Sequence, residues 1–288
     1  MESDQTNKRW IDLPAVPFDL EKTLQSGQVF HWKLEMGLCR GLVGEEVLTL
    51  RRGQEGWQVP TKRSLELAIR YFSLDHPLEN IWSTFPDDAF SQAALESCRG
   101  LRLIRQPQWE CLATFITSPL KQVAHISQMS LSLRKKYGTP VRGGWAYPPA
   151  EVIASLKEED LRACGLGFRA RGLLGTARAV ATGKLDLEAL KDMETPRAFE
   201  ALMQAPGVGE KVAHCVLLFA YERLEVVPVD VWIGRVLLQM RRGRRGKPAQ
   251  LQKYSQRRFG PYAGYVQQYL FHHARTASGS LRSRELGK

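Results

Sequence analysis

Two ionisable residues, Lys211 and Asp230, lie in one stretch of the chain whose pattern suits covalent chemistry on a sugar. Lys211 is the second residue after a Gly-Val-Gly turn, close to a predicted helix N-terminus. The helix dipole disfavours a cation there and favours the neutral amine, which is the species that attacks a sugar carbon to form a Schiff base. The plainer alternative is a solvated lysine on a helix surface.

Asp230 follows the apolar run Val226-Val227-Pro228-Val229 and begins the next predicted helix. The proline fixes the approach of the chain, so the carboxylate is held in one place. A fixed carboxylate stabilises positive charge that develops on a sugar as its base departs. An N-cap role explains the same residue, and the two roles are compatible.

The stretch Leu202–Val236 must position both residues, and its pattern predicts a helix, a tight hairpin, a second helix, a loop and a new helix start. The hairpin residues are Gly207, Val208 and Gly209. Glycine permits the sharp turn and leaves backbone N–H groups bare at a helix N-terminus, where a phosphate binds. We therefore expect this hairpin to grip a nucleic-acid backbone.

The bulk composition agrees with a polyanionic partner. The 288 residues carry 41 Lys and Arg against 30 Asp and Glu, a net charge of +11, and such a balance favours binding to phosphates. The length predicts two or three subdomains. The five cysteines are scattered without a Cys-x-x-Cys pair, which argues against a zinc site, an iron–sulfur cluster or a disulfide framework.

We expect a protein that is soluble and intracellular. The first ten residues are too polar for a signal peptide. No apolar run is long enough to cross a bilayer.

The fold class predicted from hydrophobic periodicity is α+β, with a small N-terminal antiparallel sheet followed by a large helical body. A short helix over Asp19–Ser26, with Asp19 as its N-cap, precedes the sheet. The expected strands are Gln28–Leu34, Leu38–Val43, Val47–Arg52 and Trp57–Val59. Helical spacing begins at Lys62, and the later helices are expected at Asp87–Cys98, Gln108–Thr117, Gln122–Tyr137, Pro149–Leu156, Glu158–Ala163, Arg169–Thr182, Asp186–Leu190, Thr195–Ala205, Pro248–Phe259 and Tyr262–Ala277.

The segments Pro206–Cys215 (PGVGEKVAHC) and Val227–Asp230 (VPVD) resemble the 8-oxoguanine DNA glycosylase/AP lyase family, within the helix-hairpin-helix glycosylase superfamily. The hairpin, lysine and aspartate together indicate the superfamily, but they do not identify the substrate, because thymine-glycol and other base-excision enzymes share them. The choice of the 8-oxoguanine branch rests on Ser26–Trp32 (SGQVFHW) and on further similar segments at Leu101–Cys111, Cys164–Arg171 and Gly260–Phe271.

This resemblance implies a pocket for the extruded base. Gly27 would accept, through its carbonyl, a hydrogen bond from the N7–H that only the oxidised guanine carries. Gln267 would bind the base edge, and Phe271 and Cys215 would lie on the two faces of the base. The simpler alternatives are a glycine at the start of a strand, a helix-surface amide, a core phenylalanine and a buried small cysteine.

The sequence departs from the family where the opposite strand is read. Leu120-Lys121-Gln122 replaces an Asn-Asn-Asn turn whose first residue contacts the opposite cytosine, and His125 replaces an arginine that contacts it. Phe168 and Arg169 match the wedging aromatic and the second arginine. Trp232 stands where the family often has a phosphate-contacting histidine. We therefore predict weaker discrimination of the opposite base.

The resemblance predicts a TBP-like N-terminal domain at residues 8–112, a helix-hairpin-helix glycosylase domain at 113–277 and a frayed basic tail at 278–288. It implies excision of 8-oxoguanine from duplex DNA followed by strand nicking, by a monomer without a metal or organic cofactor. Because the expected substrate is DNA, we expect the protein in the cytoplasm of a prokaryote or in the nucleus of a eukaryote. Two alternatives stay open: the same chemistry on an oxidised pyrimidine, and a non-catalytic DNA-binding protein. The loop Arg241–Lys247 is either a phosphate contact or a solvated loop.

Overall fold

The computed structural model describes residues 10–119, 121–241 and 246–285, and it confirms a small sheet followed by a helical body. The strands are β1 (Ile11–Asp12), β2 (Lys33–Glu35), β3 (Leu38–Val43), β4 (Glu46–Arg52), β5 (Trp57–Val59), β6 (Pro140–Val141) and β7 (Gly144–Trp145). The helices of the first half are α1 (Leu20–Gln25), α2 (Lys62–Tyr71), α3 (Leu78–Ser83), α4 (Ala89–Ser97), α5 (Gln108–Thr117) and α6 (Val123–Tyr137). Those of the second half are α7 (Ala150–Ser155), α8 (Glu158–Arg162), α9 (Arg169–Ala181), α10 (Thr195–Met203), α11 (Glu210–Tyr221), α12 (Val231–Met240), α13 (Pro248–Phe259) and α14 (Ala263–Glu285).

The N-terminal sheet is antiparallel, with the strand order β1-β5-β4-β3-β2. The ring of Trp32 covers Gly41 so closely that a Cβ atom at residue 41 would clash with it. The indole Nε1 of Trp32 also donates to the hydroxyl of Tyr71 on α2, at 3.1 Å. These contacts fix the end of the Ser26–Trp32 segment against the sheet.

The predicted strand Gln28–Leu34 is wrong for most of its length, because only Lys33–Glu35 pairs with β3. Gln28 instead turns its amide to the 102–104 segment, where Nε2 donates to the carbonyl of Arg102 and Oε1 accepts from the N–H of Ile104. Side-chain hydrogen bonds hold this part of the chain in place of a strand ladder.

Several short elements were absent from the prediction. These are β1, α3 and the hairpin of β6 and β7. The predicted helix Asp186–Leu190 is a 3₁₀ turn at Ala189–Lys191, because the Asp186 carboxylate accepts from the N–H groups of Glu188 and Ala189. At the C-terminus α14 continues to Glu285, beyond the predicted helix end at Ala277.

Two apolar cores divide the molecule. The sheet packs on α2 around Leu48, Leu50 and Phe72, whereas α3 and α4 belong to the core of the helical body. Helix α4 packs against α14, near the other end of the chain. The N-terminal region is therefore divided between the two cores, with the sheet and α2 in one and α3 and α4 in the other.

A buried cluster of charged and polar side chains joins the sheet to the helices. Glu110 of α5 and Arg134 of α6 form an ion pair, and the Nδ1 atom of His31 lies 3.4 Å from Glu110 Oε1. The other ring nitrogen of His31 lies 2.7 Å from the carbonyl oxygen of Leu42 on β3. Burial, with a smaller contribution from the charge of Arg134, lowers the pKa of His31 to about 3.

Among the helices of the described residues, none combines the length and the apolar character needed to cross a membrane.

Candidate active site

The hairpin lies between α10 and α11, as predicted. Gly207 has a φ of +80°, a backbone conformation that favours glycine. Val208 is buried beneath the turn, while Gly207 and Gly209 are exposed. Gly209 is the N-cap of α11 and has no side chain to occupy the first N–H groups of the helix. The hairpin therefore presents backbone donors to solvent at a helix N-terminus, as an anion site requires.

Helix α9 holds the hairpin from behind, a contact that the sequence analysis missed. A Cβ atom on Gly172 would lie 3.0 Å from the Cα of Gly207, and one on Gly175 would lie 2.9 Å from the ring of Pro206. The hydroxyl of Thr176 donates to the carbonyl of Pro206 at 2.6 Å. The available signal was the spacing of three small residues on one face of a helix.

The Lys211 amine is held by α5. Its Nζ donates to the Oγ of Ser118 at 3.1 Å and lies 4.8 Å from the centroid of the Phe115 ring. Ser118 is buried and its hydroxyl donates to the carbonyl of Phe115 at 2.9 Å. The amine is thus fixed at the first turn of α11 instead of extending into solvent, which disfavours the solvated-surface alternative.

Asp230 caps α12, as one of its two predicted roles requires. Its Oδ1 accepts from the N–H of Ile233 at 2.8 Å. Burial raises the pKa of the Asp230 carboxyl, while the cap hydrogen bond and the charge of Lys211 act in the opposite direction. The charge of Lys211 therefore favours the ionised form of Asp230, and the role of the carboxylate in stabilising a charged sugar stays a prediction.

Cys215 lies one turn after Lys211 on α11 and is 3% exposed. Burial raises the pKa of its thiol, and the neighbouring Lys211 opposes that shift. Cys215 is therefore a neutral thiol at physiological pH, with the character of a small apolar surface beside the amine.

The predicted base-binding residues Gly27, Gln267 and Phe271 meet at one face of α14. A Cβ atom on Gly27 would lie 3.1 Å from the Cε1 of Phe271, so the glycine gives the ring its space. Gln267 is one turn before Phe271 and is 4% exposed. Its Oε1 is buried without a hydrogen-bond partner among the described residues. An unpartnered buried acceptor in a native fold is costly and indicates a site for a ligand donor.

Of the three consecutive carbonyl groups at residues 26 to 28, the first and the last accept hydrogen bonds from glutamine side chains. The carbonyl of Ser26 accepts from Gln268 Nε2 at 2.7 Å, and the carbonyl of Gln28 accepts from Gln106 Nε2 at 2.9 Å. Between them, the Gly27 carbonyl has no donor within the described part of the chain. The three glutamines Gln28, Gln106 and Gln268 were not predicted as site residues, yet they fix this segment.

Phe30 connects the base-binding group to the lysine. Its ring meets that of Phe115 edge to face, with 6.4 Å between the centroids. Phe115 in turn lies beneath the Lys211 amine. The Ser26–Trp32 segment therefore contributes to both halves of the candidate site.

The predicted wedge and opposite-base residues lie where α9 begins. Phe168 is 65% exposed, which suits insertion into a duplex, whereas Arg169 is buried beside it. The Arg169 guanidinium lies 4.3 Å from the Phe168 ring, and its Nε donates to the carbonyl of Pro119 at 2.9 Å. His125 is exposed near the start of α6, and Leu120 lies outside the described residues.

Two further predicted positions flank the site. Trp232 is in the first turn of α12, and the guanidinium of Arg235 lies 5.5 Å from its ring. In the basic loop Arg241–Lys247, residues 242–245 lie outside the described residues.

Comparison with known proteins identifies the class to which this fold and site belong. Residues 115–261 match the HhH-GPD superfamily of base excision DNA repair proteins, and residues 10–112 match the N-terminal domain of 8-oxoguanine DNA glycosylase. The chain belongs to this family of base excision DNA repair glycosylases. The suspected resemblance is therefore confirmed.

The similar proteins cover almost the whole chain. It is 30% identical to a probable N-glycosylase/DNA lyase of Methanothermobacter thermautotrophicus, over 95% of this chain and 98% of that protein. It is 29% identical to the N-glycosylase/DNA lyase OGG1 of Arabidopsis thaliana, over 91% and 78%. A solved complex of the Clostridium acetobutylicum 8-oxoguanine glycosylase/lyase, whose double-stranded DNA has cytosine opposite to 8-oxoguanine, has a TM-score of 0.86. It shares 25% identity and covers 91% of this chain and 93% of that one.

Proposed function

We propose that this protein is a bifunctional DNA glycosylase/AP lyase that excises 8-oxoguanine from duplex DNA. The observation that carries the lesion assignment is the Gly27 carbonyl, which has no donor within the described residues although both neighbouring carbonyls are bonded. Gly27 itself is in contact range of the Phe271 ring, since a Cβ atom on the glycine would lie 3.1 Å from it, and an extruded base would stack on that ring.

The Gly27 carbonyl supplies discrimination between oxidised and normal guanine. Guanine has an acceptor at N7, so the two acceptors would face one another and the contact would be repulsive. In 8-oxoguanine N7 carries a proton and donates. The difference resides in one hydrogen bond, and a site built to receive a donor rejects the analogue that lacks it.

Catalysis begins once the base leaves the duplex. An enzyme that acts on a base extrudes it, at the cost of unstacking it. The hairpin N–H groups of Gly207, Val208 and Gly209 hold a phosphate near the lesion, and Phe168 fills the space in the stack. The base then lies between Phe271 and Cys215, with the Gln267 amide at its edge.

The Lys211 amine attacks the C1′ atom of the sugar. The bond between C1′ and the base breaks, and its electron pair leaves with the base, which takes up a proton. Asp230 stabilises the positive charge on the sugar during this step. The amine loses a proton, the sugar ring opens and a Schiff base forms. Loss of a 2′ proton then expels the 3′ phosphate, which nicks the strand.

The two alternatives differ in what they require of the site. A non-catalytic binding protein has no use for an amine that is held against Ser118 and whose charge reaches the half-buried carboxylate of Asp230. An enzyme for oxidised pyrimidines would use the same lysine, but a pyrimidine has no N7–H to donate to the Gly27 carbonyl. The geometry therefore favours 8-oxoguanine.

Borohydride trapping tests the proposal on duplexes that contain 8-oxoguanine, thymine glycol, uracil or an abasic site. We expect a covalent adduct with 8-oxoguanine and with the abasic site, and none with Lys211→Gln. Lys184→Gln, at an exposed position, is the matched control that retains trapping. Trapping with thymine glycol but not 8-oxoguanine would establish the pyrimidine alternative, and trapping with no duplex would leave a binding protein.

The proposal extends to assembly and location. One chain supplies the hairpin, the amine and the pocket, so we propose that a monomer acts on duplex DNA. It would act where that DNA lies, in the cytoplasm with the nucleoid of a prokaryote or in a eukaryotic nucleus.

A further inference from the structure

The guanidinium of Arg169 is hydrogen-bonded to the protein backbone. Both Nε and Nη2 donate to the carbonyl of Pro119, and Nη1 lies 3.5 Å from the carbonyl of Leu166. The side chain is 6% exposed, so these contacts are shielded from water. An arginine that served only to contact the opposite strand would have no need of this arrangement.

Pro119, whose carbonyl accepts from Arg169, is the chain neighbour of Ser118, which binds the lysine. Pro119 follows Ser118, whose Oγ accepts from the Nζ of Lys211 at 3.1 Å. The carbonyl of Ser118 also accepts from the N–H of Lys121 at 3.2 Å, which closes a tight turn. Any shift of the Pro119 peptide therefore moves Ser118 and the acceptor that the amine uses.

We propose that Arg169 is a positioning residue for Lys211, acting through the Pro119 carbonyl and Ser118. It holds the turn after α5 from the side of α9, and this keeps the Ser118 hydroxyl at the lysine. The inference rests on the proposed lysine chemistry and adds a role for Arg169 that needs no opposite base. Reacting groups must be held within a fraction of an ångström, since a displacement of about 1 Å costs roughly a hundredfold in rate.

The same side chain retains donors for DNA. A guanidinium has five N–H groups, and the contacts to Pro119 and Leu166 engage three of them. The other two have no acceptor within the described residues. An opposite base that bound Arg169 would bind the same guanidinium that holds Pro119 and, through it, Ser118. The opposite strand would then affect the position of the Lys211 amine.

The test uses a duplex with 8-oxoguanine opposite a tetrahydrofuran abasic analogue, so that Arg169 has no base to contact. Single-turnover excision rates are measured at saturating enzyme for wild type, Arg169→Gln and Ser118→Ala. We expect Arg169→Gln to lower the rate about tenfold or more while the Kd for the duplex stays within about threefold. Arg171→Gln, two residues later and exposed, is the matched control with a wild-type rate.

The double variant Ser118→Ala, Arg169→Gln separates the two possible routes. If Arg169 acts through Ser118, the double variant is no slower than the slower single variant, because effects in one contact chain are not additive. Losses that multiply, or a wild-type rate for Arg169→Gln opposite the abasic analogue, would overturn the inference. If Arg169→Gln does not fold, Arg169→Lys is measured in its place. Absence of excision by wild type would instead contradict the proposed function.

Discussion

Gly172 of α9 and Gly207 of the hairpin meet backbone against backbone, because a Cβ atom on Gly207 would lie 2.9 Å from the Cα of Gly172. The hairpin is therefore seated on a helix through a contact that no side chain can enter. The packing of the hairpin on α9 therefore sets the direction of its exposed N–H groups, together with the local sequence.

Replacing Gly172 with alanine should displace the hairpin. The added Cβ would lie 3.0 Å from the Cα of Gly207, and overpacking of this kind costs about 1–3 kcal/mol. We expect a lower thermal unfolding midpoint and a weaker affinity for duplex DNA. Gly234→Ala is the control, since its Cβ meets nothing within 4 Å and alanine stabilises a helix interior by about 0.5–1 kcal/mol. Equal changes in the unfolding midpoint and in the DNA affinity of the two variants would contradict a role for the contact between Gly172 and Gly207.

Asp230→Asn should separate the cap from the chemistry. The amide oxygen still accepts from the N–H of Ile233, but the negative charge is lost. We expect an unfolding midpoint close to wild type and an excision rate lower by about 10²–10³-fold. Asp230→Ala should lose the cap as well, about 1 kcal/mol of stability. A wild-type excision rate in Asp230→Asn would reduce this residue to a helix cap.

Discrimination of the opposite base should be weak. A leucine at position 120 cannot hydrogen-bond a cytosine edge, and His125 lacks the bidentate donors of an arginine. We expect single-turnover excision rates opposite C, A, G and T to agree within about tenfold. The double variant Leu120→Asn, His125→Arg should restore a preference for cytosine, since a good base-edge pair is worth about 1–3 kcal/mol. A strong preference for cytosine in wild type would overturn this prediction.

Adjacent glutamines on α14 should respond to substitution in opposite ways. Gln268 donates to the Ser26 carbonyl, so Gln268→Met leaves a buried acceptor unpaired and should cost about 1–3 kcal/mol. Gln267 has a buried Oε1 without a partner in the described chain, so Gln267→Met should not lower the unfolding midpoint. Its excision rate should nevertheless fall. Thermal unfolding and single-turnover rates decide, and a normal rate in Gln267→Met would remove this residue from the base pocket.

Buried histidines should make the fold sensitive to mild acid. Burial lowers the pKa of His31 to about 3, and the pKa values of His214 and His272 to about 4. Below pH 6.5 the unfolded chain therefore binds protons that the folded chain does not. The stabilisation is complete above pH 6.5 and is lost as the pH falls toward 4.

Unfolding midpoints between pH 7.5 and 5 measure this effect. His214→Gln should flatten the pH dependence, since His214 then no longer competes for a proton in the unfolded chain. His125→Gln, at an exposed position, is the control. An unchanged slope in His214→Gln would contradict the assignment.

Local sequence patterns predicted the elements whose periodicity and boundary residues lie within the element itself. Helices α5 and α13 begin and end where periodicity and proline placed them. The strand β1 was missed because it has two residues and exists only through pairing with β5. The six residues of α3 follow Pro77 without a side-chain cap, so they give neither a period nor a start signal.

The residues of the candidate site likewise fall into a local group and a group brought together by distant packing. Lys211, Asp230 and the hairpin lie within one motif, so a single stretch of sequence predicts them together. Ser118 holds the lysine from 93 residues away, and Gln268 supports Ser26 across 242 residues. Such partners depend on how distant segments pack, which one sequence does not reveal.

Helix α5 spans the point, after residue 112, where the two matched families meet. It is buried from Glu110 to Thr117, and it carries both the Glu110 contact to His31 and the ring beneath Lys211. A cut there would leave each fragment with half of a buried helix. The two regions are therefore poor candidates for exchange between relatives as separate modules. In evolution, changes in the lesion pocket and at the reacting amine must be accommodated along one shared helix.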